Sequence, residues 1–459
     1  MTTPSRDPAA REAAGRAARD RIAPGAHADF SPAADRPDPV ALLTAQETGR
    51  VPELLPIRHQ RMAASPLAFY RGAAVLMAAD LAAAPSTGLT SRLCGDAHLF
   101  NFGVYASPER RLVFDLNDFD ETHPGPFEWD VKRLVASLAL AGRENGFKRR
   151  QRAAVVLAAA ERYRAAIREF AAMRELDVWY ARADIDELRE RLGDGLGRRR
   201  SDRIARAGAK ARTRDSLQAY HRLTAVTDAG RRIVADPPLV VPIGDLLPGV
   251  ARKVLEDQIR ELLAGYRDSL ADDRRHLFDK FEFVDLARKV VGVGSVGTRC
   301  WIVLLTGRDD QDPLLLQVKE AGPSVLAGIS GAEPAPDWGS NGRRVVSGQR
   351  ILQAASDIFL GWHTVEGFDG ETRDFYVRQL RDWKGSAAVS EMDPAGMTAY
   401  ARLCGWTLAR AHARGGDRLA IAAYLGKSAK FEQAMVPFAE AYADRTEADH
   451  AAFAAGLTG

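Results

Sequence analysis

The spacing of hydrophobic residues divides the chain into a mainly helical part and a later part that contains strands. Between residues 128 and 288 apolar residues recur every three or four positions, as in DVKRLVASLALAGREN, which predicts a long run of α-helices. After residue 288 the short apolar runs KVVGVGSVG, TRCWIVLLTG and PLLLQVKEA predict three strands. Helical spacing returns in GRRVVSGQRILQ and in MTAYARLCGWTLARAHARGG. The pattern therefore predicts an α+β protein.

The sequence predicts a division of the chain into four parts. Residues 1–40 are rich in Ala, Arg, Asp and Pro, which predicts a disordered tail with at most one short helix. In residues 41–288, LCGDAHLFNFG predicts a loop between strands, followed by the helical run. Residues 289–385 form the β-rich part, and residues 386–459 form a hinge and C-terminal helices that pack on the helical part.

Composition narrows the class of protein. Hydrophobic residues make up 46% and charged residues 27% of the 459 residues, as in ordinary globular proteins. The net charge of +3 gives no electrostatic reason to expect nucleic acid as a partner. Cys94, Cys300 and Cys404 lie far apart, which fits a reducing compartment rather than a disulfide framework. The sequence shows no long apolar run and no secretory signal, so we expect no membrane contact and a cytoplasmic location.

Three polar residues in one stretch of the sequence suggest a catalytic site. Asp96, Asn101 and Asp118 occur in the order acid, amide, acid. In phosphoryl transfer one carboxylate orients the nucleophile or accepts its proton, while an amide and a second carboxylate bind Mg²⁺. The register of DLNDFD leaves Asp115 as a rival metal ligand. His98 is either catalytic or an anchor of the loop through hydrogen bonds.

A second group of candidate residues lies some two hundred positions later. Gly292, Gly294 and Gly297, with Ser295 between them, form a G-x-G-x-x-G pattern. A dinucleotide-binding fold would open a helix at this point, whereas TRCWIVLL predicts a strand. Lys319 ends the next predicted strand, where an amine needs an anionic partner. A Gly-rich turn followed by a strand lysine is typical of the nucleotide-binding lobe of kinases.

The order of these parts differs from that of an ordinary kinase. Here the catalytic-type loop and the metal-binding acid precede the Gly-rich turn and its lysine. The sequence therefore predicts a bilobal protein kinase-like fold in circularly permuted order. The permutation would cut the chain between the helix that ends near His412 and the loop that begins near Cys94. An ordinary kinase joins these two elements by a short link, so their ends lie close together, and closely spaced ends tolerate permutation.

Two resemblances support this interpretation. CGDAHLFNFG resembles the H-G-D-x-x-x-x-N loop of aminoglycoside phosphotransferase-like kinases, although Cys94 replaces the first His, and DFDETHPGPFEWD resembles their metal-binding segment. From about Arg58 onward the chain also resembles the bacterial family Domain of Unknown Function 2252. The stretches that carry this second resemblance are SPLAFYRGAA, LCGDAHLFNFG, FDLNDFDETHPGPFEWDVKRL, LQVKEA, QAASDIFLGW and AHARGGD.

The kinase resemblance implies a role for each candidate. Asp96 would be the catalytic base, and Asn101 and Asp118 would hold Mg²⁺. Lys319 and the Gly-rich turn would contact the phosphates of ATP, and Asp130 would brace the catalytic loop. Asp120 and Glu121 are either further metal-binding acids or part of a turn. No Glu stands in the middle of GRRVVSGQRILQ, so Gln349 or Glu320 would have to serve as the partner of Lys319.

The leading functional hypothesis is an ATP- and Mg²⁺-dependent phosphotransferase acting on a small-molecule or protein hydroxyl. The basic segment 198–215 is explained most simply as a solvated helix face, with an anionic acceptor as the alternative. A nucleotide-binding pseudokinase or scaffold is favoured by the missing helix Glu, and a nucleotidyl transferase would use the same acids. A metal-dependent phosphoesterase is disfavoured because the nine histidines do not cluster.

Overall fold

The computed structural model describes residues 6–192, 206, 208–214, 216–228, 230–250, 252–329, 337–367, 370–380 and 382–457. Most of the basic segment 198–215 lies outside these residues. The α-helices are α1 (Pro8–Arg21), α2 (Pro39–Glu47), α3 (Leu55–Ala63), α4 (Pro66–Gly72), α5 (Ala74–Ala82), α6 (Phe127–Glu144), α7 (Arg149–Ala171), α8 (Glu175–Tyr180), α9 (Ile185–Leu192), α10 (Ser216–Leu223), α11 (Ile243–Leu246), α12 (Arg252–Arg267), α13 (Asp272–Phe278), α14 (Asn341–Leu352), α15 (Pro394–Gly415), α16 (Arg418–Leu425) and α17 (Lys430–Gly456).

The strands complete a mixed α+β chain. They are β1 (Thr90–Leu93), β2 (Phe102–Ala106), β3 (Leu112–Leu116), β4 (His123–Pro126), β5 (Ala183–Asp184), β6 (Thr224–Thr227), β7 (Gly230–Ile233), β8 (Val240–Pro242), β9 (Glu282–Lys289), β10 (Cys300–Thr306), β11 (Pro313–Glu320), β12 (Gly361–Glu366), β13 (Thr372–Gln379) and β14 (Gly385–Ser386). Strands β5 to β8 and most of β9 interrupt the stretch 128–288, which the sequence predicted to be almost wholly helical. None of the described helices combines the length and apolar character needed to cross a membrane.

The largest sheet has six strands in the order β12-β13-β11-β10-β9-β8, and every neighbouring pair is antiparallel. The predicted strand KVVGVGSVG is wrong beyond its first residue, because β9 ends at Lys289 and a turn follows. Gly292 and Gly297 have φ values of +69° and +91°, which an extended strand does not contain. The predicted boundary at 288/289 therefore falls at the end of a strand of this sheet.

Alternating side chains on β11 give this sheet two different faces. Leu314 and Leu316 pack against α12 and α13 in one apolar cluster. Leu315 packs on the opposite face with residues of α10. Lys319 belongs to that second face by the same alternation, beyond the apolar contacts with α10. The lysine is thus held on a rigid strand that is packed on both sides.

The helical half has its core between α6, α7, α15 and α17, where most apolar side chains are fully buried. Gly405 of α15 lies against Ala159 of α7, and a Cβ at Gly405 would stand 2.2 Å from the Ala159 carbonyl oxygen. The absence of a side chain at Gly405 thus sets how closely these two helices pack.

The predicted disorder of residues 1–40 is wrong for the described part of that segment. Helix α1 buries Gly15 and Ala18, and a Cβ at Gly15 would stand 2.1 Å from the Ala420 carbonyl oxygen of α16. Arg11 adds an ion pair to Asp417, with Nη2 2.9 Å from Oδ1. Small residues, which look like weak core formers in a sequence, here permit close helix packing.

We expect Gly405→Ala to lower the free energy of unfolding by about 1–3 kcal/mol, because the new methyl group would force α7 and α15 apart. Chemical denaturation measures this change. Gly456→Ala in the last turn of α17 is the matched control, since its Cβ would meet nothing within 4 Å. An equal effect of both substitutions would contradict this account of the packing.

Candidate functional site

A cleft of about 1370 Å³ lies between the six-stranded sheet and the helical half. Most of the predicted site residues line it, namely Asp96, His98, Asn101, Asp118, Gly292, Gly294 and Ser295. The cleft therefore brings together residues of two segments that are far apart in the sequence.

The loop 94–101 is fixed from below by α6. Asp130 accepts hydrogen bonds from the backbone N–H groups of Cys94 (2.7 Å) and Gly95 (3.0 Å), which is the bracing role expected for it. His412 of α15 lies 3.2 Å from the same carboxylate. The Cys94 thiol donates to the Asp118 carbonyl oxygen at 3.2 Å. Cys94 thus links the loop to the segment that carries the second acid.

Asp96 lines the cleft, and one of its two carboxylate oxygens accepts a side-chain hydrogen bond. Arg133 Nε donates to Asp96 Oδ1 at 2.8 Å, and the Arg133 guanidinium stacks over Tyr70 at 3.7 Å from the ring centroid. Asp96 Oδ2 lies 3.7 Å from His98 Nε2, beyond hydrogen-bond distance. One carboxylate oxygen is therefore positioned, and the other faces the cleft.

Asn101 binds the two acidic segments to each other. Its Nδ2 donates to the carbonyl oxygens of Asp118 (2.9 Å) and Asp96 (3.0 Å). Its Oδ1 accepts from the Asp118 N–H at 2.7 Å and from the Asn117 N–H at 3.3 Å. The amide oxygen predicted to bind a metal thus already has two donors, and the geometry makes Asn101 a clamp between the loops.

Lys319 reaches the acidic segment from the sheet. Its ammonium nitrogen lies 3.4 Å from Asp118 Oδ2 and forms a shorter ion pair with Asp120. Tyr376 of β13 donates from its hydroxyl to Asp120 Oδ1 at 2.6 Å. The Lys319 side chain is almost fully buried, so these two carboxylates supply the anionic partner that the sequence demanded.

The pKa values of Asp118 and Asp120 are shifted in opposite directions. Burial alone would raise the pKa of Asp118, but the charges of Lys319 and Arg378 outweigh it and hold that pKa below its usual range. Burial and the neighbouring Asp118 carboxylate raise the pKa of Asp120. Burial would lower the pKa of Lys319, but the two carboxylates raise it well above the ordinary value. At neutral pH Asp118 is therefore ionised and Lys319 is charged.

Asp115, the rival metal ligand, does not line the cleft. Its side chain is only 1% exposed and forms a buried ion pair with Arg410 of α15. Asp115 Oδ2 also accepts a hydrogen bond from the Ala354 N–H at 2.7 Å. Because both carboxylate oxygens are committed inside the core, the structure assigns Asp115 to the packing of the helical half.

Helix α14 lacks the expected partner for Lys319. Gln349 donates to Gln353 at 2.9 Å, and Glu320 pairs with Arg299 at 3.4 Å, so neither contacts the lysine. Instead, Arg344 of this helix donates to the carbonyl oxygens of Thr122, Asp120 and Gly322 at 2.7–2.9 Å. The helix is therefore attached to the acidic segment through backbone carbonyls.

The Gly-rich turn is covered by the segment that precedes the catalytic-type loop. Arg50 Nη1 donates to the carbonyl oxygens of Gly294 (3.0 Å) and Val296 (2.7 Å). Arg58 donates to Gly294 at 2.7 Å, and Arg61 to Gly292 at 2.6 Å. The Gly297 carbonyl oxygen accepts from the Val51 N–H at 2.8 Å, so this glycine turns away from the cleft.

Comparison with known proteins identifies the family. A family model matches residues 50–456, which is most of the chain. The chain belongs to the DUF2252 family. That family is described as an uncharacterized protein conserved in bacteria. No curated protein and no solved structure matched the chain.

Several residues of this DUF2252 site had no signal in the sequence. Arg133 lies three positions after Asp130 in a helix that also buries Glu128 and Lys132, so nothing marked it as the partner of Asp96. Tyr376 and Arg378 read as ordinary strand residues. Their register against Lys319 and Gln317 became visible only when β13 was paired with β11. Among the described residues, no three His, Cys, Asp or Glu side chains are grouped so that they could hold a metal by themselves.

Asp115→Asn is expected to lower the free energy of unfolding by about 3 kcal/mol or more, because it leaves Arg410 buried without its counter-charge. Urea denaturation measures the loss. Asp272→Asn, which removes an exposed pair with Arg275, is the control and should change stability by less than about 1 kcal/mol. A small effect of Asp115→Asn would contradict the core role.

His98 makes the stability of this DUF2252 protein depend on pH. Burial lowers the pKa of His98 from its usual 6.5 to about 4, and the nearby Arg133 and Arg71 act in the same direction, against Asp96. The unfolded chain therefore binds a proton below pH 6.5 that the folded protein refuses until about pH 4. Stability is thus lost as the pH falls through this window.

We expect His98→Gln to remove up to about 1.4 kcal/mol per pH unit of that slope. Denaturation curves between pH 4 and 6.5 measure it. Glu121 acts in the opposite direction, since burial raises its pKa from 4.5 to about 7, so the slope is compared between variants and not read from the wild type alone. Identical slopes in the two proteins would show that His98 titrates normally.

Proposed function

We propose that this DUF2252 protein is an ATP- and Mg²⁺-dependent phosphotransferase, with kinase-like lobes in circularly permuted order. The observation that carries the proposal is the contact between Lys319 and Asp118. The two atoms are 3.4 Å apart, although 201 positions separate the residues in the chain. In protein kinases the corresponding lysine binds nucleotide phosphates beside the acid that binds the metal.

The connectivity of the sheet supports the proposal. Strands β9 and β10 flank the Gly-rich turn, Lys319 lies on the next strand, and α14 connects that strand to β12. Strand β13 then leads into the segment that pairs with β2 through β14. This is the chain order of a kinase nucleotide lobe: Gly-rich loop, lysine, helix, hinge. The loop 94–101 and the acidic segment face it from the other half.

Asp96 is suited to act as the base. We infer that Arg133 orients the carboxylate through Oδ1, while Oδ2 accepts the proton of an acceptor alcohol. The alcohol oxygen forms a bond to the terminal phosphorus as the bond from that phosphorus to the bridging oxygen breaks. The electron pair of the broken bond leaves with ADP, and the proton stays on Asp96 until solvent removes it.

The donor set fits Mg²⁺. This ion is usually bound by one or two carboxylates together with water and substrate phosphates. Asp118 and Asp120 face the cleft and offer two such carboxylates. When bound, the ion would neutralise negative charge on the phosphates. Asn101 would position Asp118, because its amide oxygen accepts from the backbone N–H of that residue.

A nucleotide-binding protein without transfer activity is the second candidate. It is favoured by one observation: Lys319 is paired with the two acids, and α14 supplies no Glu to take the lysine away from them. Incubation with ATP labelled on the γ-phosphate separates the candidates. Transfer of label to an acceptor, or its release as phosphate, supports a phosphotransferase, while binding without either supports the second candidate.

The first test is thermal unfolding with Mg²⁺-ATP. At about one hundred times its Kd, a ligand stabilises the folded state by about 2.7 kcal/mol, which raises the Tm by a few degrees. We expect this rise in the wild type and its loss in Asp118→Asn and in Lys319→Met, which keeps much of the volume of the lysine stem.

Lys280→Met, at an exposed position outside the cleft, is the control and should keep the shift. Each variant is compared with its own ligand-free Tm, because removal of one member of a buried ion pair also lowers stability. An unchanged Tm of the wild type with every nucleotide tested would overturn the proposal.

A further inference from the structure

Arg71 lines the cleft and has no ion-pair partner among the described residues. It lies in the last turn of α4, and its guanidinium stacks over Phe100 at 4.5 Å from the ring centroid. Within the described chain its side chain donates no hydrogen bond and forms no ion pair, and its Nε is buried. Burial lowers the pKa of Arg71, against the influence of Asp96, so the charge is held at an energetic cost.

Two other cations of the site, Arg133 and Lys319, are already paired with carboxylates. Arg133 pairs with Asp96, and Lys319 pairs with Asp118 and Asp120. An incoming anion would have to displace a carboxylate to reach either of these cations. Arg71 offers its donors without such competition.

The position of Arg71 relative to the Gly-rich turn is fixed by the backbone. A Cβ at Gly294 would stand 3.1 Å from the Arg71 carbonyl oxygen, so the tip of the turn lies directly against the end of α4. The Arg71 side chain lines the same cleft as Asp96 and Asp118. It therefore stands between the turn expected to cover phosphates and the acid expected to accept the proton.

Arg50 is a second arginine of the cleft that forms no ion pair among the described residues, although nearby carboxylates, Glu121 foremost, favour its charge. It also lines the cleft, and its Nη1 is held by the neutral carbonyl oxygens of Gly294 and Val296. The described residues include no carboxylate in an ion pair with it. Carbonyl oxygens fix the direction of a guanidinium but leave its net charge available to an anion.

We propose that Arg71 and Arg50 form a subsite for the terminal phosphate group of the bound nucleotide. The inference rests on the proposed function and adds a component that the kinase-like motifs do not contain. The N-terminal segment 50–71 then does more than cover the Gly-rich turn: it supplies positive charge where negative charge is transferred. An arginine in this position stabilises the charge on the phosphoryl oxygens during transfer.

Isothermal titration calorimetry tests the subsite with three probes, each with Mg²⁺: a non-hydrolysable ATP analogue, ADP and tripolyphosphate. Arg71→Met keeps an apolar stem against Phe100 but removes the charge. We expect it to weaken binding of the ATP analogue by at least about tenfold, the value of a charge-assisted hydrogen bond, and to leave ADP binding unchanged. Arg150→Met, an exposed position on α7, is the matched control.

The outcomes separate the subsite from the function. If the wild type binds nucleotides and Arg71→Met weakens both of them equally or neither, the subsite is overturned and the function survives. If the wild type binds no nucleotide, the proposed function fails and tripolyphosphate decides: binding that depends on Arg71 supports a phosphate subsite, and binding that is absent or independent of Arg71 overturns it.

A second variant covers the case in which Arg71→Met does not fold, as judged by circular dichroism. Arg71→Lys keeps a charge but loses the planar fork that binds two phosphate oxygens. Its affinity for the ATP analogue is expected to fall, with ADP binding again unchanged. Wild-type affinity of Arg71→Lys for both nucleotides would then overturn the subsite.

Discussion

The ion pairs of the buried Lys319 with Asp118 and Asp120, whose side chains are 43% and 27% exposed, are the interaction on which the geometry of the cleft depends. They join a strand of the six-stranded sheet to the acidic segment of the helical half. A buried ion pair adds little net stability, because desolvation offsets most of the Coulomb attraction, but breaking it leaves a charge stranded. Its main effect is therefore specificity: any arrangement of the two halves that separates the lysine from the acids is penalised. Tyr376, which donates to Asp120 at 2.6 Å, reinforces the same arrangement from the neighbouring strand.

Around this contact the two halves are held largely by arginines that donate to backbone carbonyl oxygens. Arg344 binds three carbonyls of the acidic segment and the chain near it, and Arg378 donates to the Asn117 carbonyl oxygen at 2.9 Å. Arg58 links the Gly-rich turn to the end of α4 by donating to Gly294 and Gly72. Such bonds satisfy donors and fix backbone positions, yet they do not cancel positive charge. Of these arginines Arg58 is also paired with Glu47, with Nε 3.4 Å from Oε1, so the contacts that close the cleft combine backbone carbonyls with a carboxylate.

The sequence predicted what depends on local pattern. The α+β class, the strands that contain Cys300 and Lys319, and the helix that begins near Pro394 follow from periodicity and agree with the structure. The prediction from sequence was wrong where tertiary packing overrides the local pattern. The small residues of α1 predicted disorder, but they allow the helix to pack against α16. Asp115 and Asp118 could not be separated, because strand register alone does not show that Arg410 of α15 lies beside Asp115. Arg133, Arg71 and Arg50 were invisible for the same reason, since their importance comes from neighbours that are distant in sequence.

Ligand binding at this site would be an exchange of partners. Lys319 directs its ammonium group at both acids, and a metal ion at Asp118 would compete with the ammonium for the same oxygens. If the proposed function is correct, the exchange would be favourable when phosphate and metal bind together, because phosphate would give Lys319 an anionic partner and the metal would give the carboxylates a cationic one. A metal alone, or a phosphate alone, would leave one buried charge without a counter-charge. Under the proposed function this pairing would favour metal–phosphate complexes over either ion alone, and the depressed pKa of Asp118 keeps that carboxylate ionised at neutral pH.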